Sequence, residues 1–247
     1  MALDRFLIVG DPHGEELNHE VAESMFAFAA DFKPNIVIHG GDNWNFSYMR
    51  KGAGASEEGA NADADWEVGS EFFLRFFALG KKRIFLRGNH DERLWKTYRE
   101  ATKEAARRHA KDGIDDIERL VARRKVKMLP YDSRNGVLDV DGIRVVHGYA
   151  HGVGSARAHA ASFGTCAYCH THATDVASFE RWPEPSIAYG VGCLLNIDQD
   201  YNSSQRNKLR HENAWICGYT DGTRATYIQI KRGANGCFIA PTDVKSY

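Results

Sequence analysis

The chain has 247 residues, 43% of them hydrophobic, enough for one large domain with a core or for two small ones. Lys and Arg number 32 against 33 Asp and Glu, so whole-protein charge argues neither for nor against a polyanionic partner. No run reaches the ~18 apolar residues of a membrane span, "FLIVG" is too short for a signal peptide and is followed at once by acidic residues, and five cysteines is an odd count; the expectation is a cytoplasmic protein with free thiols and no membrane partner.

In chain order, "RFLIVGDPHG" is an apolar run that ends in Asp11 and His13. Residues 15–32 carry Leu17, Val21, Met25 and Phe28 on one helical stripe, with Pro34 as a stop signal. "NIVIHGGDNWN" is a second apolar run, closing in Asp42. Residues 46–65 lack periodicity and are rich in Gly and Ala. They read first as a solvated connection and second as a lid over substrate, with Tyr48, Arg50 and Lys51 as its candidate contacts. Trp66, Phe73, Phe76 and Phe77 predict a helix over 66–79. "RIFLRGNHDE" is the third strand-like run, ending in Asn89, His90 and Asp91. Residues 93–127 read as a polar helical insertion with 12 Lys or Arg against 6 Asp or Glu. Such a segment is a solvated face, or a flank that attracts phosphates. "GIRVVHGYAHG" delivers His147, and "CHTH" brings His170 and His172. From about Gly190 onward, runs such as "AWICGYT" and "TYIQIKR" suggest antiparallel strands of a second sheet.

Short β-branched runs without alternation predict strands buried on both faces, and alternation of strand and helix predicts an α/β fold. Ligands of open α/β sheets bind at the carboxyl ends of the strands. The four runs would therefore bring their polar turn residues to one edge. Asp11, His13, Asp42, Asn89, His147, His170 and His172 offer carboxylate, imidazole and amide donors, a set that suits divalent Mn, Fe, Zn or Ni. They are too numerous for one tetrahedral zinc ion and fit two metals sharing a carboxylate.

With these residues in place the chain resembles the calcineurin-like metallophosphoesterases. That family reads D-x-H, G-D-x-x-D/N, G-N-H-D/E, a lone His and G-H-x-H. The matches are Asp11-Pro12-His13, Gly41-Asp42-Asn43-Trp44-Asn45, Gly88-Asn89-His90-Asp91, His147, and Cys169-His170-Thr171-His172, in that order. The resemblance implies a single domain over 1–247, with the basic helical insertion at about 93–127. It implies two facing mixed sheets flanked by helices, a four-layer sandwich. It also implies that Asp11, His13 and His172 hold one metal, that Asn89, His147 and His170 hold another, and that Asp42 bridges them. His90 would be the proton donor beside the scissile phosphate, and Asp91 the residue that orients its ring. Cys169 departs from the family's Gly, and Asn45 stands where many members have Asp.

The implied cofactors are two divalent metal ions, Mn first and Fe, Zn or Ni as alternatives. The implied activity is hydrolysis of phosphate esters. Asn45-Phe46-Ser47 departs from the longer G-D-x-x-D-R-G signature of the protein phosphatases, which favours a phosphodiesterase, and the basic insertion leans toward nucleotides or nucleic acid as its substrate. The alternatives are a phosphomonoesterase and a non-catalytic binding scaffold. "CAYCH" also matches a c-type haem attachment pattern, which would need export and would compete for His170. Cys166 and Cys169 read as inert buried thiols, with a redox pair as the alternative. His39 reads as a core residue, His151 and His159 as loop or surface histidines, and Arg87 and Arg93 as phosphate contacts or surface pairs.

Overall fold

Alternate residues of the first strand pack into two different cores, and this sidedness defines the layers. The computed structural model describes residues 3–50, 61–197 and 210–240. In chain order it contains β1 (Asp4–Val9), α1 (His19–Phe32), β2 (Ile36–His39), α2 (Ala62–Phe76), β3 (Lys82–Leu86), α3 (Glu92–Glu100) and α4 (Glu104–Arg124). β4 (Lys127–Leu129), β5 (Leu138–Val140), β6 (Ile143–Val146), α5 (Ser155–Phe163) and β7 (Cys166–Tyr168) follow. The last strands are β8 (Val176–Phe179), β9 (Ser186–Gly190), β10 (Ala214–Thr220) and β11 (Ala225–Lys231).

One sheet has the order β11-β10-β1-β2-β3-β4 and the other β5-β6-β7-β9-β8. Leu7, Val9, Val37 and Phe85 face outward, against Val21 and Met25 of α1, Phe72, Phe73 and Phe76 of α2, and Ile114 and Ile117 of α4. Phe6, Ile8, Ile36, Ile38, Ile84 and Leu86 face inward, against Val145, Ala167 and Val191 of the second sheet. On the far side of that sheet, Val146, Cys166 and Tyr168 pack on Ala156 and Ala160 of α5. The result is the expected sandwich of helices, sheet, sheet and helix. Both faces of β1 to β3 are covered, which explains why those runs are apolar throughout.

The parallel register places the strand ends level. Val9 pairs with His39, and His39 with Phe85. In the second sheet Val146 pairs with Tyr168. The turns after β1, β2 and β3 therefore meet those after β6 and β7 at one end of the sandwich, with the polar residues delivered from two facing sheets.

Several elements differ from their sequence-level boundaries. Helix α1 starts at His19 because the Asn18 side chain accepts the Val21 N–H and caps it; Glu15 and Glu16 lie in a short 3₁₀ turn before it. Helix α2 begins four residues before Trp66, capped by Asn61. The basic segment is two helices, broken at Ala101, whose backbone is extended, and it ends at Lys125 in a left-handed conformation that releases the chain into β4. Strands β10 and β11 are antiparallel, as expected, but they extend the first sheet instead of forming the second: β10 pairs with β1 from Asp4–Thr220 to Ile8–Ile216. The second sheet is built from residues between Leu138 and Gly190. Lys51 lies outside the described residues.

His39 is a core residue. Its ring is within 5.3–5.8 Å of Phe72, Phe76 and Phe85, and its Nδ1 accepts the Gly41 N–H at 3.1 Å. Burial pushes its pKa from 6.5 to about 3. The unfolded chain therefore binds a proton near pH 6.5 that the folded chain refuses until about pH 3, and this contribution to stability is lost as the pH falls through that window. Denaturant unfolding of the wild type and of His39→Leu measures it. Below pH 6.5 the wild-type stability should fall relative to the variant by about 1.4 kcal/mol per pH unit; a difference independent of pH would contradict it.

Candidate dinuclear metal centre

The turns at the common sheet end are strained in the same way. Asp11, His13, Asp42, His170 and His172 all have positive φ, between 53° and 72°. Non-glycine residues in that region cost of order 1–3 kcal/mol each where they are held against their preference, although Asp and His tolerate it best. Backbone bonds between turns hold them there: Asp11 N–H donates to Gly41 O at 3.0 Å, His13 N–H to Asp42 O at 3.1 Å and Gly14 N–H to Asn43 O at 2.9 Å. Glycine is required where the turns touch. A Cβ on Gly88 would lie 2.0 Å from Asp42 Oδ1, and one on Gly41, at φ +109°, would lie 2.6 Å from the Gly88 nitrogen.

Three overlapping clusters of ligand atoms result. Asp11, His13 and His172 form one, Asp42, His147 and His170 another, and His13, Asp42 and His90 a third, each with its atoms within 4.8 Å of one another. Asp42 is common to the last two. Its Oδ1 accepts the His90 N–H at 2.8 Å, while Oδ2 lies 3.4 Å from His147 Nε2 and 3.8 Å from His13 Nε2. Asn89 joins the second cluster through Oδ1, 3.0 Å from His147 Nε2 and 2.7 Å from His170 Nδ1. All seven residues expected as ligands thus meet in one place. Asp11, His13, Asp42 and His147 are buried at the base, whereas Asn89, His90, His170 and His172 are partly exposed and form the open face.

The donors fit divalent cations on three grounds. First, Asp11 Oδ1 is buried and accepts no hydrogen bond among the described residues, and Oδ2 is held by the His170 N–H at 3.0 Å. Second, three of the imidazoles, His13, His170 and His172, are held neutral, the form that binds metal. Burial drives His13 down to about 3 and His170 to about 4, and it drives His172 well below the usual range. His13 Nε2 and His172 Nε2 face each other at 3.1 Å. Third, positive charge is needed. Burial, with repulsion from Asp42 and Asp91, raises Asp11 well above an ordinary carboxyl. Burial would lower His147, but Asp42 and Asp11 outweigh it and raise that imidazole to about 9. The same pairing with His147, His90 and His13 overcomes the burial of Asp42 and holds its carboxyl well below the usual range. His147 Nδ1 is 2.8 Å from Gly40 O, which fixes Nε2 as the atom aimed at the centre.

His90 and Asp91 part company. Asp91 does not touch the His90 ring. Its two oxygens accept four backbone N–H groups, from Asp42 and Gly88 at 2.8 Å, from Asn43 at 3.0 Å and from Trp44 at 3.3 Å. It is therefore the clasp between the second and third turns, and burial, with repulsion from Asp42, raises it to about 7. The residue that orients His90 is Asn45, whose backbone oxygen and Oδ1 both lie 2.9 Å from His90 Nδ1. Asn45 is itself fixed by Asp65, which accepts its N–H at 2.8 Å, and by Glu16, which accepts from Nδ2 at 2.9 Å. Arg93 donates to Asn45 O at 2.8 Å and approaches His90 Nε2 at 3.1 Å. Nδ1 thus carries the ring proton, and burial lowers His90 to about 4, with Arg93 opposing its charged form and Asp42 favouring it.

The remaining candidates also resolve. Arg87 pairs with Glu92 at 3.3 Å and lies over Trp95. His159 is buried, not a loop or surface residue: its Nδ1 meets Ser155 O at 2.7 Å and its Nε2 accepts the Tyr149 N–H at 3.0 Å. His151 is exposed, with its ring 6.1 Å from His170. Cys166 and Cys169 point to opposite faces of the second sheet, which precludes a redox pair. Cys169 fills the gap beside two strand ends: a Cβ on Gly10 or Gly40 would lie 2.4 or 2.2 Å from its Sγ. Burial, with Asp11 and Asp42 nearby, keeps it a thiol. His211 has no sequence signal, since it lies far beyond the last motif, yet its ring is 4.7 Å from that of His172.

These features define a metallophosphoesterase-type sandwich whose one end carries Asp/His clusters that could hold metal ions. The family model for calcineurin-like phosphoesterases matches residues 4–179, and the chain belongs to that family. Similar solved structures include Vps29 from Chaetomium thermophilum, with 10% identity, coverage of 96% of this chain and 92% of that one, and a TM-score of 0.48. Vacuolar protein sorting 29 from Cryptosporidium parvum has 13% identity, coverage of 96% and 95%, and a TM-score of 0.48. YfcE, a phosphoesterase from E. coli, has 12% identity, coverage of 96% and 97%, and a TM-score of 0.46. No curated protein matches the sequence.

Asp91 provides the test of this construction. Asp91→Ala leaves four buried N–H groups without their acceptor, which should cost about 3–5 kcal/mol of unfolding free energy. Denaturant titration measures it, and a loss below about 1 kcal/mol would refute the clasp.

Proposed function

We propose that this protein is a metal-dependent phosphodiesterase acting on nucleotides or nucleic acid. The observation that carries the reading is the pair of ligand clusters joined at Asp42, with His90 on their open face. Asp11, His13, His172 and Asp42 would hold one divalent cation, and Asp42, Asn89, His147 and His170 the other. Manganese is the first choice, with iron, zinc and nickel as alternatives, because the donors are oxygen and imidazole nitrogen. When bound, two such cations acidify a water and offset the charge of the phosphoryl group.

The protein's own groups supply the rest. Asn45 holds the His90 ring with Nδ1 as donor, so that Nε2 faces Arg93 and the open side. Arg93 presents a guanidinium where phosphate oxygens would arrive, the geometry that suits a charge-assisted pair. A phosphate there adds negative charge beside His90, which favours the imidazolium over the neutral ring seen without it. His90 then passes its Nε2 proton to the leaving oxygen. The diester preference rests on space at both sides of the centre. A cavity of about 570 Å³ is lined by Thr174, Arg210, His211 and Lys231 together with Asp175 and Glu212, and the His211 ring lies 4.7 Å from that of His172. Another of about 560 Å³ includes Asn89, Arg93 and Tyr131. A diester has two arms to accommodate, and a monoester one.

Two measurements on the manganese-loaded protein test the reading. Bis-p-nitrophenyl phosphate should turn over faster than p-nitrophenyl phosphate; the reverse order would identify a monoesterase, and no turnover of either a non-catalytic protein. His90→Ala should lower kcat by about 10²–10⁴ for a diester with a nucleoside leaving group, but far less when p-nitrophenolate leaves, since that anion needs no proton. Equal losses for the two leaving groups would exclude the proton-donor role.

A further inference from the structure

Positive charge gathers at the end of the first sheet opposite the metal centre. The chain enters β1 to β4 there through residues 3–5, 30–36, 77–83 and 121–127, which hold nine Lys or Arg and two Asp. The register sets these segments level: Phe6 pairs with Ile36, Ile36 with Lys82 and Ile84 with Lys127. Asn35 clamps the row. Its Oδ1 accepts the Arg5 N–H at 2.9 Å, and its carbonyl accepts those of Lys81 and Lys82 at 2.9 and 3.0 Å. Arg5, Lys33 and Lys81 line an open groove of about 470 Å³ that has no carboxylate among its described residues. Lys82, Lys125 and Lys127, all exposed, continue the row along β3 and β4. Among the described residues, none of these six side chains forms an ion pair with a carboxylate. Beside β10, Asp141 accepts the Thr220 hydroxyl and Asp221 the Thr223 and Arg224 N–H groups, which marks one border of the patch. Helix C-termini favour cations, and α1, α2 and α4 all end here. Each such end amounts to about −0.5 charge, so three of them and two Asp leave a surplus of about five positive charges.

We propose that this end is an anchor for the phosphate backbone of double-stranded nucleic acid, separate from the metal centre. The choice of partner rests on the nucleic-acid reading of that centre and deepens it. The cations stand at β1, β3 and β4, with Lys33 beside β2. Neighbouring strands lie ~4.8 Å apart, so the row is ~14 Å long. That is about the axial rise of four phosphates on one strand of a duplex, at roughly 3.4 Å each. Single strands are held largely by bases stacked on aromatic rings, and no aromatic residue is among the described residues of the groove, so the duplex is the better fit. Six extended residues separate Arg5 from Asp11, ~20 Å or about six base pairs of rise. A duplex of about 20 base pairs is long enough to meet both anchor and centre; a dinucleotide is not.

Fluorescence anisotropy of a labelled DNA duplex of about 20 base pairs, with the full chain and no added metal, reads the anchor without turnover. Wild-type affinity should fall more than about tenfold between roughly 50 and 200 mM salt. The triple variant Lys33→Ala/Lys81→Ala/Lys82→Ala, at three exposed positions, should bind about tenfold more weakly or worse at the lower salt. Its slope of log affinity against log salt should be shallower by about 2–3. The variant with Arg at the same three positions should keep wild-type binding. Equal affinities of the wild type and the triple Ala variant, or a wild-type affinity indifferent to salt, would overturn the anchor. So would binding to vesicles of one-third phosphatidylserine with none to the duplex. The diesterase reading fails or stands separately: duplex binding lost in the triple Ala variant, with no ester hydrolysed by the manganese-loaded wild type, would support the anchor and sink the diesterase, whereas diester turnover without duplex binding would do the reverse.

Discussion

Two carboxylates, Asp11 and Asp42, are buried beside each other at the meeting point of two β-sheets, and the rest of the site follows from that placement. Isolated charges in such surroundings are strongly disfavoured. Here the compensation is a shell of imidazoles, one of which, His147, is raised to about 9 by Asp42 and Asp11 despite its burial. Among the described residues, one oxygen of Asp11 has no hydrogen-bond partner. An arrangement with adjacent carboxyl groups, several neutral imidazoles and an unsatisfied carboxyl oxygen is one that could hold divalent cations.

The scaffold makes this possible by aligning strand ends. Parallel pairing of β1, β2 and β3, and of β6 and β7, sets five turns at one level. The turns after β1, β2 and β7 hold Asp11, His13, Asp42, His170 and His172 in left-handed conformations, which local preference alone would not select. Long-range contacts impose them: the N–H bonds between the first two turns, glycines that admit close approach, and the Asp91 carboxylate across four N–H groups. The strain and its restraint sit at the same residues, as expected of a site whose geometry matters more than its local stability.

Much of this was legible in the sequence because each ligand follows a short apolar run, and a strand covered on both faces must end in a turn that carries whatever polarity the segment has. The seven candidate ligands that meet at the sheet end and the layered architecture come from that pattern and from the family motifs. Asp91 was misread because an Asp next to a His has the composition of a ring orienter; only the packing of the second turn over the third reveals its N–H partners. Asn45, which performs the orienting, acts through a carbonyl as well as its side chain, and a carbonyl has no signature in sequence. His211 reaches His172 from a separate part of the chain. The strands from Ala214 onward were recognisable as strands, but a strand's own residues do not say which free edge it will join; β1 supplied that edge. The break at Ala101 contains neither Gly nor Pro, so no local punctuation marks it.

The central claim is that one carboxylate, Asp42, serves two cations at once. Titration of the metal-free protein with Mn²⁺, followed by electron paramagnetic resonance, measures this most directly. Two ions per chain with the spectrum of an exchange-coupled pair are expected, as for ions about 3.5–4 Å apart, with loss of that coupling in Asp42→Ala. A single site, or two ions that remain magnetically independent in the unaltered protein, would contradict it.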